Sequence, residues 1–356
     1  MPESQPSPAR APSLRQIASE CGISTTAVSD ALRGRKNISS ATRLKVHEVA
    51  TRIGYATDPR LSQLMSYLRQ RKTIRNQGTL VWINSSASDR LWHTQPYKIG
   101  FLEGARQRAL ALGFAFDEIW AGDPKLNLKR LGQILEARRI DGLVIPTLKW
   151  NGDEKKHMAW GNYAAAYVDT TVLSPALSCV SPDYGENLRL ALLEILRLGY
   201  TRIGFKLSPF IDDVSANQYS GMYLFERAHR RLAQIPLPEL ETDKSEKFED
   251  WVRTYRPDAI ICNEGTCIAD LKKMGLRVPQ DVAVAHLNLC ADVAGWAGVD
   301  QNHQQLGASG VDIVIAQLHR DERGVPDLQK HITLRGKWSA GWTCPPRTPQ
   351  TAESTG

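Results

Sequence analysis

The sequence predicts an α/β protein with a small helical head and a large body built on parallel sheets. Three observations predict it. Basic residues crowd one end of the chain. Short, glycine-punctuated helical patterns fill residues 13–54. From Thr79 onward, apolar strand-length runs alternate with amphipathic helices.

The 356 residues exceed what one core usually organises, so more than one domain is expected. With 42% hydrophobic and 23% charged residues, the composition is that of a globular protein. No apolar run approaches the roughly 20 residues that span a bilayer, so no membrane partner is expected and a cytoplasmic location is. Residues 1–12 are rich in Pro, Ser and Ala and lack an apolar core, so they read as a disordered lead-in and not a secretory signal.

The net charge of +7 is uneven. Between Arg10 and Arg75 stand thirteen Lys and Arg against the four acids Glu20, Asp30, Glu48 and Asp58. That region therefore carries an excess of nine positive charges, and the rest of the chain is slightly negative. A basic head on a near-neutral body is the footprint of a phosphate-binding module. The six cysteines (Cys21, Cys179, Cys262, Cys267, Cys290, Cys344) form no C-x-x-C pair, and the histidines share no ligand spacing with them. Reduced thiols and no metal are expected.

In the head, Leu14, Ile17, Ala18 and Cys21 fall at helical spacing, and Gly22 ends that helix. Ser24 suits the N-cap of a second helix, Thr25 to Leu32, with Ala27, Val28, Ala31 and Leu32 inward. Ser39 or Ser40 caps a third, to about Ile53, with Leu44, Val46, Val49, Ala50 and Ile53 apolar and Gly54 at its end. Two helices joined by a tight glycine turn make a helix-turn-helix.

The string Leu14-Arg-Gln-Ile-Ala, Gly22-Ile-Ser-Thr-Thr-Ala-Val-Ser, Asn37-Ile-Ser, Thr42-Arg and Ile53-Gly-Tyr resembles the headpiece of the lactose/galactose repressor family. The resemblance implies that the second helix enters the major groove of a near-palindromic operator and that the protein is a homodimer. By position, Thr25 and Thr26 become the first base readers, while Ser24, Ser29, Asn37 and Ser39 fall where the family contacts phosphates or nearby bases. Ser24 also serves as a plain cap, and Thr42 and Arg43 also serve to start the third helix. Asp30 departs from the family, which often carries a guanine-reading Arg there. It either accepts from a cytosine amine, which would shift the operator sequence, or points to solvent or pairs with Arg33 or Arg35.

After Tyr55, Asp58 and Pro59 suit the start of a hinge helix. The resemblance places Leu64 as a minor-groove wedge. The alternative is that Leu61, Leu64 and Leu68 pack two such helices together. The hinge departs from the family at Leu61, where a small residue is usual, and at Thr57, where a Pro is usual.

In the body, strands are expected at Thr79–Ile83, Phe114–Trp120, Asp141–Ile145, Ala164–Val168, Leu177–Ser181, Arg202–Phe205, Ala259–Cys262 and up to Ala285. Helices are expected at Ile99–Leu112, Leu126–Ala137, Asn187–Leu198, Tyr219–Leu232, Thr266–Met274 and Leu306–Leu318. Asp141-Gly-Leu-Val-Ile, Leu198-Gly-Tyr-Thr-Arg-Ile-Gly, Pro257-Asp-Ala-Ile-Ile-Cys-Asn and Gly275-Leu-Arg-Val-Pro-Gln-Asp-Val-Ala-Val extend the resemblance, more loosely, to about residue 342. It implies the two-lobed fold of periplasmic sugar-binding proteins, with three crossovers and a small-molecule effector, a sugar or related metabolite, in the cleft at the strands' carboxyl ends. The expected division is a head at 13–57, a hinge at 58–76, a body at 77–343 and a disordered tail at 344–356. Within the body, one lobe takes about 79–198 and 303–327, the other about 199–300 and 329–343.

Effector candidates are then Asn84, Ser85, Trp150, Asp183, Asn263, Glu264, Asn288 and Gln301. Trp150 and Trp296 are candidates to stack on a sugar face, against ordinary packing. Asp183 also suits a helix cap. Gln218 stands where the family often has Arg, Asn263-Glu264 where it has Asn-Asp, and Asn288 where it has Asp; the ligand need not be anionic. No dinucleotide, P-loop, zincin or nucleophile-elbow motif occurs, so neither an enzyme nor a cofactor is expected. The function implied is a sequence-specific transcription regulator, a repressor by analogy. The alternatives are a DNA-binding regulator with a vestigial cleft, and a sugar-binding protein of non-regulatory role.

Overall fold

The computed structural model describes residues 13–32, 38–53, 77–84, 95–123, 125–146, 158–169, 174–238 and 247–347, without the side chains of Thr26 and Ser29. The chain forms two compact units, one within residues 1–75 and one within 76–356.

The first unit holds α1 (Leu14–Cys21), α2 (Thr25–Leu32) and α3 (Ser40–Arg52). Ile17, Ala18, Cys21, Val28, Ala31, Val46, Val49 and Ala50 make its core. Such a core is small, so each fully buried side chain, contributing about 1.5–3 kcal/mol, matters. Leu44 does not join it. It is 65% exposed, because the inward face of α3 is set by Val46, Val49 and Ala50, and Leu44 falls off that stripe.

The second unit holds two sheets. The first is wholly parallel, in the order β10-β5-β4-β3-β1-β2, from β1 (Thr79–Asn84), β2 (Ala115–Trp120), β3 (Gly142–Pro146), β4 (Ala164–Val168), β5 (Ser178–Pro182) and β10 (His331–Leu334). The second runs β11-β9-β8-β7-β6, from β6 (Ile203–Lys206), β7 (Ala259–Cys262), β8 (Ala283–His286), β9 (Ala297–Asp300) and β11 (Lys337–Ser339), the last antiparallel. The helices are α4 (Pro96–Ala111), α5 (Leu128–Ala137), α6 (Tyr184–Arg197), α7 (Pro209–Val214), α8 (Gln218–His229), α9 (Phe248–Tyr255), α10 (Cys267–Lys273) and α11 (His303–Arg320).

Both faces of each sheet are covered, as parallel sheets require. In β1, Leu80 and Trp82 face one cluster, with Phe101 and Val314, while Val81 and Ile83 face another, with Leu131 and Tyr167. The second sheet lies between Leu188, Phe205 and Tyr219 on one side and Trp251, Ile260 and Val284 on the other. Helices α4 and α11 cross at backbone contact. A Cβ on Gly104 would stand 1.9 Å from the Gln304 carbonyl oxygen, and one on Gly307 would stand 1.9 Å from that of Phe101.

The lobe boundaries differ from those the sequence suggested. Helix α6 was expected in the first lobe with the strand before it. Its Leu188, Ala191, Leu192 and Ile195 instead pack into the second lobe's core. Strand β10 was expected in the second lobe, yet it pairs with β5 in the first sheet. A strand so exposed carries no apolar signature, and only its pairing reveals its lobe. The crossovers thus fall near Asp183, between Gln301 and Asn302, and between Arg335 and Gly336. The tail also begins later than expected. Cys344 is buried, Tyr200 donates to the Pro345 carbonyl at 2.8 Å, and Arg347 pairs with Asp258 at 2.8 Å. Helix α7 and strands β9, β10 and β11 had no periodic signal long enough to be read, whereas α9, as long as α1 and α2 and amphipathic through Phe248, Trp251, Val252 and Tyr255, was passed over.

Candidate functional site

Local bonds shape the head. Ser13 Oγ accepts from the Gln16 amide at 3.3 Å and starts α1. Gly22, at φ 71°, ends it in the left-handed region that favours glycine. Ser24 Oγ accepts from the Ala27 amide at 3.1 Å and starts α2, and Ser39 Oγ accepts from Thr42 at 3.2 Å and starts α3. The Ser39 and Thr42 hydroxyls are also 2.8 Å apart. An ion pair from Arg52 to Glu20 ties α3 to α1.

Ser24, Thr25 and Ser39 are exposed, so the first turn of α2 presents a hydroxyl-rich, electropositive helix end. Asp30 is only 9% exposed. The solvent-facing position offered for it does not hold. Asn37 and Leu64 lie outside the described residues, as do the side chains of Thr26 and Ser29.

In the body, a polar and aromatic network bridges the two lobes at the carboxyl ends of β4 and β8. Asp169 follows β4 at φ 69°, a strained value for a residue with a Cβ. It accepts from the Tyr184 hydroxyl, at the start of α6, at 3.2 Å. The Tyr184 ring meets that of Tyr219 edge-on at 5.2 Å. Gln301, 3% exposed on the second crossover, donates from Nε2 to the Tyr219 hydroxyl at 3.2 Å and to the Leu287 carbonyl at 2.6 Å. Asn288 Oδ1 stands 2.5 Å from His303 Nε2 at the start of α11, and the His303 ring packs edge-on against Phe101 at 5.2 Å and near Tyr97 at 6.1 Å.

Burial sets the protonation states here. It lifts Asp169 to about 7, against the Tyr184 hydrogen bond and the attraction of Lys98, which lower it. It lowers His286 and His303 to about 4, so both rings are neutral near pH 7. Tyr97 is pushed up by burial, then by Asp169, Cys290 and Asp292.

Of the effector candidates, the structure brings Gln301 and Asn288 into this network. Asn84 is fully buried at the end of β1 and donates to Glu118 at 3.4 Å. Asn263 follows β7 with a buried Oδ1 that has no partner among the described residues. Glu264 is drawn aside into an ion pair with Lys206 at 3.0 Å. Trp296 packs against the second lobe's core, edge-on to His286 at 5.8 Å. Asp183 caps α6 through the Glu186 amide at 3.2 Å, and with Gln218 it lines an open groove of about 390 Å³ between α6 and α8. Ser85 and Trp150 lie outside the described residues.

The sequence reading missed Tyr97, Asp169, Tyr184, Tyr219 and His303. Tyr184 and Tyr219 each stand one position after a chosen candidate, and one helical step turns the neighbour inward. The strand-end rule applied to β4 would have found Asp169. Among the described residues no group of His, Cys, Asp and Glu is arranged to hold a metal, and no helix is long and apolar enough to cross a membrane.

Residues 13–58 match the model of bacterial regulatory proteins of the lacI family. The HTH-type transcriptional repressor PurR of Aliivibrio fischeri is 23% identical over 344 residues, 90% of this chain and 97% of that protein. Among solved structures, a complex of the transcriptional regulator CelR with cellobiose aligns with a TM-score of 0.58 at 17% identity, covering 93% of this chain and 99% of the other. A lac repressor dimer bound to operator and the anti-inducer ONPF aligns at 0.56 and 17% identity, covering 94% and 100%. The likeness extends through head and body alike.

Proposed function

We propose, from a chain whose residues 13–58 match the lacI-family model, that it is a DNA-binding regulator, a repressor acting as a homodimer on a near-palindromic operator. Its operator affinity would be set by a small molecule held between the lobes. The observation that carries the reading is the first turn of α2, capped by Ser24 and led by the exposed Thr25, within a segment, residues 10–75, that carries a nine-charge basic excess. Thr25 and Thr26 would read bases. Ser24, Ser29, Asn37 and Ser39 would contact phosphates or nearby bases, and Leu64 would wedge the minor groove. A DNA-binding regulator with these parts works in the cytoplasm.

Lobe closure would act on DNA affinity through the difference in ligand binding between two states. The interlobe hydrogen bonds support this, since any change of lobe angle must break or remake them. A second reading has its own observation. Tyr219, Gln301, Asn288 and His303 satisfy one another, as in a cleft that no longer needs a ligand. Calorimetry against a metabolite panel separates the two; uniform silence favours the second.

The head is tested by salt. Raising it from about 50 to 200 mM should weaken operator binding on the order of a thousandfold or more if several phosphates are contacted. A gel-shift affinity that stays flat over that range would remove the basic head as the contact surface.

A further inference from the structure

His303, the first residue of α11, reaches from the first lobe to Asn288 of the second. Its place is fixed from behind. Asn302, at φ 53°, caps α11 by accepting from the Gln305 amide at 3.3 Å, and its own amide donates to Asp300 Oδ1 at 2.8 Å. The imidazole is then seated on one face of α4, against Tyr97, Gly100 and Phe101. The Phe101 ring meets it edge-on at 5.2 Å, and the Tyr97 ring lies at 6.1 Å. Gly100 supplies the room. A Cβ there would stand 2.7 Å from His303 Cβ, so a side chain at 100 would push α4 and α11 apart. Across the lobes, His303 Nε2 donates to Asn288 Oδ1 at 2.5 Å, on a residue only 9% exposed. Asn288 is itself held. Its amide donates to His286 Nδ1 at 3.1 Å, and Gln301 Nε2 donates to the carbonyl of the preceding Leu287 at 2.6 Å. Burial lowers His303 to about 4, so near pH 7 the ring bonds as a neutral aromatic group and not as a charge.

A ring packed on aromatic side chains, with one polar edge bonded to an amide, is how a cleft holds a small polar molecule. We propose that the His303 imidazole is a tethered occupant of the cleft: from the first lobe it takes the Asn288 hydrogen bond that a bound molecule's polar group would take, and so holds the two lobes together from within. Asn288 suits that part because it follows β8, among the strand ends where an open α/β sheet receives its ligand. The proposal deepens the effector reading above and rests on it for the link to DNA. A molecule that bonds Asn288 Oδ1 must displace the imidazole, so its apparent affinity falls by the share of the protein in which the imidazole is seated. A side chain needed only for its volume would gain nothing from Asn288, and leucine would serve as well.

The test removes the tethered ring from the full chain and returns it in solution. His303→Ala leaves a ring-sized gap beside Tyr97, Phe101 and Asn288. Imidazole should bind this variant saturably in calorimetry and raise its melting temperature. Neither response should appear in the wild type or in the variant combining Asn288→Ala with His303→Ala. On a duplex selected from random sequence by the wild type, the affinity of His303→Ala should differ from that of the wild type by about fivefold or more, and adding imidazole should restore it. Two further variants carry the same comparison if the gap unfolds the body. His303→Gln keeps a donor at similar reach and should stay near the wild type in duplex affinity. His303→Leu occupies the space without a donor and should depart from it as His303→Ala does.

Three results would overturn the proposal: imidazole that does not bind a folded His303→Ala, imidazole that binds equally with and without Asn288, or a His303→Leu variant that matches His303→Gln. If duplex affinity shifts in His303→Ala and imidazole neither binds nor restores it, the tether falls while the effector reading stands. If imidazole binds His303→Ala through Asn288 and duplex affinity never moves, the tether stands and the link from cleft to DNA falls.

Discussion

The head and the interlobe network are built by opposite means. Each cap of the head closes over three residues: Ser13 to Gln16, Ser24 to Ala27 and Ser39 to Thr42. The network joins the lobes, with Tyr184 of the second donating to Asp169 of the first and Asn288 of the second meeting His303 of the first. Local bonds give a surface that exists as soon as three helices pack. Long-range bonds give a site that exists only while both lobes hold their relative placement. A DNA-reading element gains from the first arrangement, and a switch needs the second.

Four measurements break or sharpen this contrast. The largest effect is expected from Ile17→Ala, which opens a cavity at the centre of the eight-residue buried core of the head. It should cost about 2–5 kcal/mol and abolish operator binding. The body's unfolding transition should stay in place, since the two units are separately compact. One shared transition that shifts as a whole would show that the units are energetically joined. Next comes Gly104→Ala. Its new Cβ would meet the Gln304 backbone, so α4 and α11 must part, at about 3 kcal/mol from the body alone. Chemical denaturation followed by tryptophan fluorescence reads this, the head holding no tryptophan between residues 13 and 53.

Gln301→Ala should cost a further step less, about 1–3 kcal/mol, because it strips a donor from the Leu287 carbonyl and the Tyr219 hydroxyl. It should also loosen the coupling between ligand and operator while leaving operator affinity without ligand little changed. Unaltered coupling would make Gln301 a packing residue only. The smallest effect lies in the pH profile. Asp169 is raised from its ordinary value to about 7, so burial favours its protonated form. Its contribution to stability is fully present below about pH 4 and is lost as pH rises through 7. Thermal melts of the wild type should therefore show a decline over that range that Asp169→Asn flattens. The neutral His286 and His303 act in the other direction. Both are lowered to about 4, so their contribution is present above about 6.5 and is lost as pH falls towards 4.

Which parts were legible in the sequence follows from the same contrast. The boundaries of α1 and α2 and the caps at Ser24 and Ser39 could be read because a helix end depends on residues three or four apart. Most body strands could be read because a strand buried on both faces is a continuous apolar run. Asp30 could not be placed, since its burial is a property of the packed head that its own polarity does not report. Asp183 and Gln218 drew attention as polar residues at strand and helix ends, while their neighbours Tyr184 and Tyr219 turn into the network, Tyr184 with a bond to Asp169 of the other lobe. One residue of helical rotation decides between such neighbours, and polarity does not report it.

The sequence by itself determined a basic three-helix head, an α/β body, and the chemistry of the first turn of α2. These depend on local periodicity, capping and charge, which the order of residues contains directly. Only the tertiary structure decided that α6 belongs to the second lobe and β10 to the first. It alone brought Asp169, Tyr184, Tyr219, Gln301, Asn288 and His303 into one network across the lobes. Strand pairing and desolvation fix those facts, and both are properties of residues that meet only when the chain has folded.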